Sequence, residues 1–588
     1  MFAEIQLTMV RLTNLNFMPG YQVLYKMWND SNYVILESPK QLKQAVTRRE
    51  FMKKRPKISN RRGLMEFGIL QYLEKYGERR NRSTTLVSRK GSSFTRLTNS
   101  ELSGSYESQY LLKLKKNLSN GLKATNLSVI MSDPDFLVAC WVRIRSNKSI
   151  LTSVFDGSSD GIQKSWFIKT AGTMRNGGYK FQVARRKYIQ KPNSDKLRSL
   201  IMPSLKDKIV QEGMRFLLEI TFESLFKDCF YGWRSKRGCL TALNDIRMKC
   251  KSCTWYIEGG IDQQFSTMNH NILIKIIETK VDDQAFIDLL YKYIKVGYGE
   301  NIKQATPMKV GVIQGGILSP ILANIYMHPF DEWVEDYLIL NFNKGSKRKK
   351  NPEYYKKHYE SRLKIKDNSI RSILDIDLNW KRMYYFRYAN YFIVGVDASK
   401  NDCMELKSKI NHFLRTELNM VLNLDKTKII NAQKEIATFL GYGIHKTPIR
   451  INKLGRLCRI VSRLILDAPI KDIVKRLIEQ KYATKAGKPT RNAKFVNHQL
   501  SDIINHYRTV ERGILNYYSL ANNYGNLAAK VHFILKYSCV LTIASKMKLK
   551  TKKKVFKKYG KDLKILNDKG KIVTSYPTYN KLQKFQTS

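Results

Sequence analysis

The stretch at 384–396, Tyr-Tyr-Phe-Arg-Tyr-Ala-Asn-Tyr-Phe-Ile-Val-Gly-Val, constrains the fold of this chain more than any other. Its two apolar, aromatic-rich halves meet at Ala389, Asn390 and Tyr391, so they read as two short strands joined by a tight turn. Asn is a natural turn residue, because its side chain can hydrogen-bond its own backbone. The rest of the chain can house such a hairpin. It has 588 residues, 43% hydrophobic and 11% aromatic, enough for several domains and a sizeable core.

Charge narrows the function classes. Lys and Arg number 105 against 49 Asp and Glu, a formal net charge of +56. A self-repelling surface of that size calls for a polyanionic partner, and nucleic acid is the first candidate. An anionic membrane surface competes, but the basic residues are spread along the chain and are not gathered on one amphipathic helix. Among eight cysteines only Cys250 and Cys253 have Cys-x-x-Cys spacing, which points to structural thiols in a reducing compartment and away from a zinc ribbon. We read no apolar run as long enough to span a bilayer. Residues 1–17 lack the Arg/Ser-rich amphipathic character of a transit peptide. Abundant Lys, Asn, Ile and Tyr suit an AT-rich genome such as an organelle's.

Residues 1–105 read as a partly helical, partly flexible extension. Helical spacing begins at Tyr110, Leu111, Leu114 and Leu118, and a second helix starts near Asp133-Pro134. A basic hairpin is expected from Lys180–Ile189, a turn at 192–195 and a return at 198–203. It would either grip a phosphate backbone or form a solvated edge. An amphipathic helix follows at 207–219, with Ile209, Val210, Met214, Leu217 and Leu218 on its apolar face. Residues 342–372 read as an inserted basic loop.

These segments together resemble the reverse transcriptase/maturase proteins encoded in group II introns, most closely the mitochondrial type. The resemblance covers roughly residues 125–570. It rests on Val154-Phe-Asp-Gly157, Lys191-Pro-Asn with Arg198, and Asp207-Lys-Ile-Val-Gln-Glu212. It continues through Tyr231-Gly-Trp-Arg-Ser-Lys-Arg-Gly-Cys239, Gln314-Gly-Gly-Ile-Leu-Ser-Pro320, Asn423-Leu-Asp-Lys-Thr-Lys428, Phe439-Leu-Gly441 and Gly513-Ile-Leu-Asn-Tyr-Tyr518. It implies an α+β, right-hand reverse transcriptase fold followed by a helical thumb and a helical maturase domain X. The expected boundaries are 106–165 for a helical N-terminal segment, 166–445 for fingers and palm, 446–496 for thumb, 497–575 for domain X and 576–588 for a tail.

The same resemblance exposes a departure. The family holds two divalent metals with carboxylates on two palm segments, one written Glu-Gly-Asp-Ile and the other Tyr-Ala-Asp-Asp. Here those three acidic positions hold Gly260, Asn390 and Tyr391. Asp262 and Glu258 share a strand face with Gly260, but Asp262 is displaced by roughly 6.5–7 Å, too far for metal–oxygen bonds that tolerate tenths of an ångström. No catalytic residue and no protein-bound metal or cofactor is therefore expected. Gln314, Gly315, Gly316 and Lys426 would be the remnant of the template–nucleotide pocket.

RNA binding would fall to Arg185, Arg186, Lys187 and Arg198 on the hairpin and to Arg234 and Arg237 beyond it. In domain X it would fall to Arg512, Asn516, Tyr517, Tyr518, Lys536, Lys546, Lys548, Lys550, Lys557 and Lys558. His506 and His532 read as structural. The resemblance implies a maturase that binds group II intron RNA and assists splicing, with Mg2+ used by the RNA and reverse transcription lost. The alternative is an active RNA-directed DNA polymerase of a mobile intron. The chain stops soon after domain X, where mobile relatives continue into DNA-binding and endonuclease domains. Organellar splicing factors are further expected partners, a membrane is not, and a homodimer is compatible. The expected location is the mitochondrial matrix, with a plastid as alternative, and the gene is expected to be organelle-encoded.

Overall fold

The computed structural model describes residues 23–26, 33–36, 108–146, 162–190, 197–299, 308–349, 351–353, 356, 379–423, 427–447, 463–567 and 570–576. The expectations for Val154–Gly157, Lys191–Asn193, Lys426 and most of 342–372 lie outside them. The chain divides into two units, Met1–Lys90 with Ser588, and Gly91–Thr587. In the first, β1 (Val23–Lys26) and β2 (Tyr33–Leu36) form an antiparallel hairpin with Val23 opposite Leu36. The sequence reading found no strands there.

The second unit opens with helices. Ser108 caps α1 (Gln109–Ser119) by accepting from Leu111 N at 3.2 Å. Next come α2 (Leu127–Met131), α3 (Pro134–Ser146) and α4 (Lys164–Arg175), with Pro opening α3 where its missing N–H does no harm. The helical segment runs past the expected boundary at 165, because α4 packs on α2 and α3. The basic hairpin forms as β3 (Ala184–Gln190) and β4 (Leu197–Met202), with Arg186 opposite Ile201, and β6 (Tyr298–Gly299) joins β3 in parallel. Helix α5 (Leu205–Phe222) buries its expected apolar face, but Asp207, Lys208, Gln211 and Glu212 are buried too. These polar groups are engaged. Asp207 accepts from Tyr179 Oη at 2.8 Å and Gln182 N at 3.0 Å, and Gln211 Oε1 accepts from Ile317 N at 3.0 Å.

The palm is a four-stranded antiparallel sheet in the order β7-β8-β5-β9. Its strands are β5 (Trp255–Gly260), β7 (Arg382–Tyr388), β8 (Tyr391–Asp397) and β9 (Lys428–Asn431). Side-chain alternation divides it between two cores. Downstream of α6 (Cys239–Lys249), α7 (His270–Glu278) and α8 (Gln284–Ile294), helices α9 (Ser319–Glu332) and α10 (Lys400–Thr416) share one core with Met383, Tyr385, Phe392, Val394, Val396 and Ile257. Phe386, Ile393, Tyr256 and Ile430 enter a second core, shared with the C-terminal domains. Cys250 and Cys253 are fully buried on that second face, where a Cβ at Gly395 would stand 2.7 Å from Cys250 Sγ. These two thiols fill the core.

Beyond the palm, β10 (Ala437–Phe439), β11 (Tyr442–Lys446) and β12 (Leu464–Asp467) form one sheet. Then come α11 (Ile470–Glu479), α12 (Leu500–Tyr517), α13 (Tyr524–Lys546) and α14 (Lys552–Tyr559), with β13 (Ile565–Leu566) and β14 (Ile572–Thr574) closing the domain. Two expectations need correction. Helix α13, 23 residues long, is by length and composition apolar enough to cross a bilayer. It is nevertheless a core helix, with most of its apolar stretch buried against α12, α14 and their neighbours. Tyr576 is not tail: it is fully buried, and its hydroxyl donates to Glu511.

Candidate nucleic-acid interface and the expected metal-ligand positions

Two antiparallel strands bring the three departed positions together. Gly260 ends β5 directly opposite Tyr391, which begins β8. Asn390 closes the junction: its carbonyl accepts from Ile261 N at 2.9 Å, and its Nδ2 donates to Ile261 O at 3.2 Å. The left-handed φ of the turn falls on Ala389 (55°) and not on Asn390. Two contacts hold Ala389 there. Its carbonyl accepts from Arg387 Nη1 at 2.9 Å, and a Cβ added to Gly232 would lie only 2.7 Å from its nitrogen.

A pair of divalent cations does not fit the residues present. A hydrogen, an amide and a phenol stand where anionic oxygen ligands are needed. Nor do the neighbouring carboxylates substitute. Asp262 is exposed and accepts from Asn423 Nδ2 at 3.2 Å. Glu258 points to β10, accepting from Thr438 N and, at 3.2 Å, from Thr438 Oγ1. Burial pushes the Glu258 carboxyl above its ordinary range, and these bonds only partly offset the shift.

The underside of the hairpin is dense with charge. Arg387 is fully buried; its Nε donates to Asp331 Oδ1 at 2.7 Å, its Nη2 to Asp331 Oδ2, and Tyr385 Oη adds a third bond to Asp331 at 3.0 Å. The guanidinium also stacks 3.9 Å from the Phe230 ring centre. Sequence reading gave Arg387 no such role. Nothing local marks Asp331, which lies 56 residues away.

In the expected template pocket, Gln314 Nε2 donates to Ser266 Oγ at 2.9 Å and its carbonyl accepts from Ile201 N. Gly315 has φ of 120°, and a Cβ on Gly316 would sit 2.4 Å from Tyr293 Oη. Both positions therefore need glycine.

The expected RNA-contacting residues separate into two groups. Arg185 is exposed, and half-buried Arg186 lies over the rings of Tyr188 and Tyr298 at 4.6 and 5.0 Å. Lys187 and Arg198 lie on β3 and β4, but their side chains are outside the described residues. Arg234 is a correction. Its side chain is 6% exposed, paired with Glu223 and bonded to the carbonyls of Lys227 and Phe230, so its donors face inward. Arg237 is partly exposed and pairs with Asp228.

In the C-terminal domain Tyr518 and Lys536 are corrections too. Tyr518 is buried against Tyr442, and Lys536 lies inside α13, where burial lowers its ammonium pKa. Tyr517 is half-exposed, but its hydroxyl donates to Leu440 O at 2.8 Å, tying α12 to the β10–β11 turn. Lys546 Nζ donates to Val496 O at 3.2 Å. Arg512, Asn516, Lys548, Lys550, Lys557 and Lys558 are exposed. The expected lysine-rich segment at 546–561 gains an aromatic pair from helix α13, Phe533 and Tyr537, that the sequence reading placed in the core. Phe533, half-exposed, meets Tyr537 at 5.1 Å, Tyr537 meets Phe556 at 6.1 Å, and Lys552 Nζ lies 5.4 Å from the Tyr537 ring. The i, i+4 spacing of Phe533 and Tyr537 was the available signal. His506 and His532 bond to Tyr482 and Glu511, both at distances of 2.7–2.8 Å.

The reverse transcriptase (RNA-dependent DNA polymerase) profile matches residues 189–444, and the type II intron maturase profile matches residues 461–586. The group II intron-encoded protein LtrA of Lactococcus lactis is 32% identical over 471 residues, covering 74% of this chain and 78% of that protein. The chain belongs to the group II intron-encoded protein family. Its palm is a reverse transcriptase fold, and its C-terminal helices are a maturase domain. It is also 35% identical to the putative COX1/OXI3 intron 1 and intron 2 proteins of Saccharomyces cerevisiae, over 83% and 77% of its length. It spans 62% and 56% of those two proteins.

Proposed function

We propose that this intron-encoded protein is a splicing cofactor that binds group II intron RNA and makes no DNA. One observation carries the reading. The three positions that would ligate metal are adjacent in space, and none holds a carboxylate, while the maturase domain presents an exposed lysine-rich and aromatic surface. Phosphate neutralisation and base stacking both suit a folded RNA. The RNA itself would carry out the two transesterifications with its own Mg2+. The protein would lower the free-energy cost of folding that RNA by favouring the active conformer. Binding should fall steeply with salt, since neutralising phosphates releases counterions.

A mitochondrial location is part of the proposal. It is supported by similarity to the yeast COX1/OXI3 intron proteins and to an Arabidopsis thaliana protein named nuclear intron maturase 3, mitochondrial, which is 23% identical. Two assays test the reading. Purified protein should accelerate splicing of its own intron at low Mg2+, and it should give no extension of a primed RNA template with Mg2+ or Mn2+. Processive cDNA synthesis would overturn the loss of polymerase activity, and unchanged splicing would overturn the maturase role.

A further inference from the structure

The former polymerase cleft is not simply empty. Two large aromatic side chains stand exposed in it, Trp233 at 47% and Tyr391 at 44%. Isolated exposed aromatics are common on protein surfaces, but three observations set this pair apart. The first is position. Backbone bonds from Tyr231 N to Arg387 O and from Arg387 N to Cys229 O run the 229–231 segment alongside β7. Gly232 then abuts Ala389, so Trp233 emerges beside the turn that carries Tyr391. The second is support. Trp233 meets Phe265 edge-on at 6.0 Å, and Tyr391 is fixed at the start of β8 by its pairing with Gly260.

The third is backbone conformation. Trp233 has φ of +53°, a left-handed value that is unfavourable for a bulky residue. Such strain persists where surroundings hold it, and it clusters at binding sites. Here Asn324 Nδ2 fixes the preceding carbonyl of Gly232 at 3.2 Å. Lys236, also left-handed at φ of +61°, is exposed three residues on and supplies a cation for a phosphate.

We propose that this cleft is a base-stacking site, in which an unpaired nucleobase of bound RNA lies against Trp233 and Tyr391. Stacking on such a platform needs no metal and tolerates any base. The +56 net charge of the chain selects RNA over an uncharged occupant. The inference rests on the reading of the chain as an RNA-binding protein, and it gives the altered residues at Gly260 and Tyr391 a use in that function.

The test uses the full chain and a single-stranded oligouridine decamer carrying one 4-thiouridine. Trp233→Ala and Tyr391→Ala should each weaken binding on the order of tenfold, as expected for one lost base–aromatic stack. The dependence of log K on log salt should not change, because no phosphate contact is removed. Trp233→Phe should retain most of the affinity, and crosslinks should map to residues 231–237 and 388–393. Tyr391 lies on a different segment from the Trp233–Phe265 contact, so Tyr391→Ala reports even where Trp233→Ala disturbs packing on Phe265. Wild-type affinity in both alanine variants, an altered salt slope, or crosslinks confined elsewhere would each overturn the stacking site. A parallel titration with the intron transcript separates the two claims. If wild-type protein binds the transcript while the decamer ignores both substitutions, only the stacking site falls; if it does not bind the transcript, the maturase reading falls.

Discussion

The β7–β8 turn has an underside and a tip, and the two differ in chemistry. Beneath it, Arg387 and Asp331 form a buried ion pair braced by Tyr385 and the Ala389 carbonyl. At its tip, Asn390 and Tyr391 stand where the family's metal ligands would be. The difference follows from solvation. A buried charge that loses its partner destabilises the whole palm. Carboxylates grouped at a metal site repel one another when no metal is bound, so replacing them need not weaken the fold. Under the proposed reading, polymerase chemistry leaves the tip while the scaffold beneath it persists. The maturase surface differs again, because its exposed lysines can change singly with small effect on stability.

The largest effect should come from the underside. Arg387→Ala should destabilise the protein by about 3–5 kcal/mol in urea denaturation, since it strands the Asp331 charge. Replacing both partners together, Arg387→Met with Asp331→Leu, should cost much less; an equal cost would refute the explanation. Gly316→Ala should cost about 1–3 kcal/mol by overpacking against Tyr293 Oη. The same denaturation curves would show this, and a neutral result would mean that the Tyr293 ring moves aside freely.

On the maturase surface, Lys557→Ala with Lys558→Ala should leave the melting temperature unchanged. Their effect should appear in intron RNA titrations over a salt series, as a log–log slope reduced by roughly one per lysine. Unchanged slopes would remove α14 from the RNA-binding surface.

The smallest effect concerns His506. Burial, with His498 adding to it, lowers its pKa from the ordinary 6.5, so the folded state favours neutral imidazole. The unfolded chain then binds the extra proton first. The stabilisation is complete above pH 6.5 and is lost as pH falls through the lower folded value. The melting temperature should therefore decline below about pH 6.5, and His506→Asn should flatten that decline.

Much of the architecture was legible in local pattern. The 384–396 hairpin, the β3–β4 hairpin and helix α5 follow directly from alternation or helical spacing of apolar residues. The misreadings share a cause: a charged or aromatic residue in a motif does not announce which way it points. Arg234, Tyr518 and Lys536 carry the chemistry of RNA contacts, but lie inward because neighbouring elements cover them. Helix α13 shows the same effect on a larger scale. It is apolar nearly all round because α12, α14 and the 490–496 segment pack around it, and this explains both its membrane-like hydropathy and the burial of its lysine.

The sequence alone determined the family, the order of the domains, the net charge and the identity of the residues at the three altered positions. Each is a property of residue type and spacing. Only the tertiary structure decided that Gly260 faces Tyr391, that Glu258 is engaged by β10, and that Trp233 emerges beside the turn. It alone paired Arg387 with Asp331 across 56 residues. Periodicity records how a segment divides its own faces between core and solvent, whereas contacts between segments depend on strand register and packing, which no local pattern encodes.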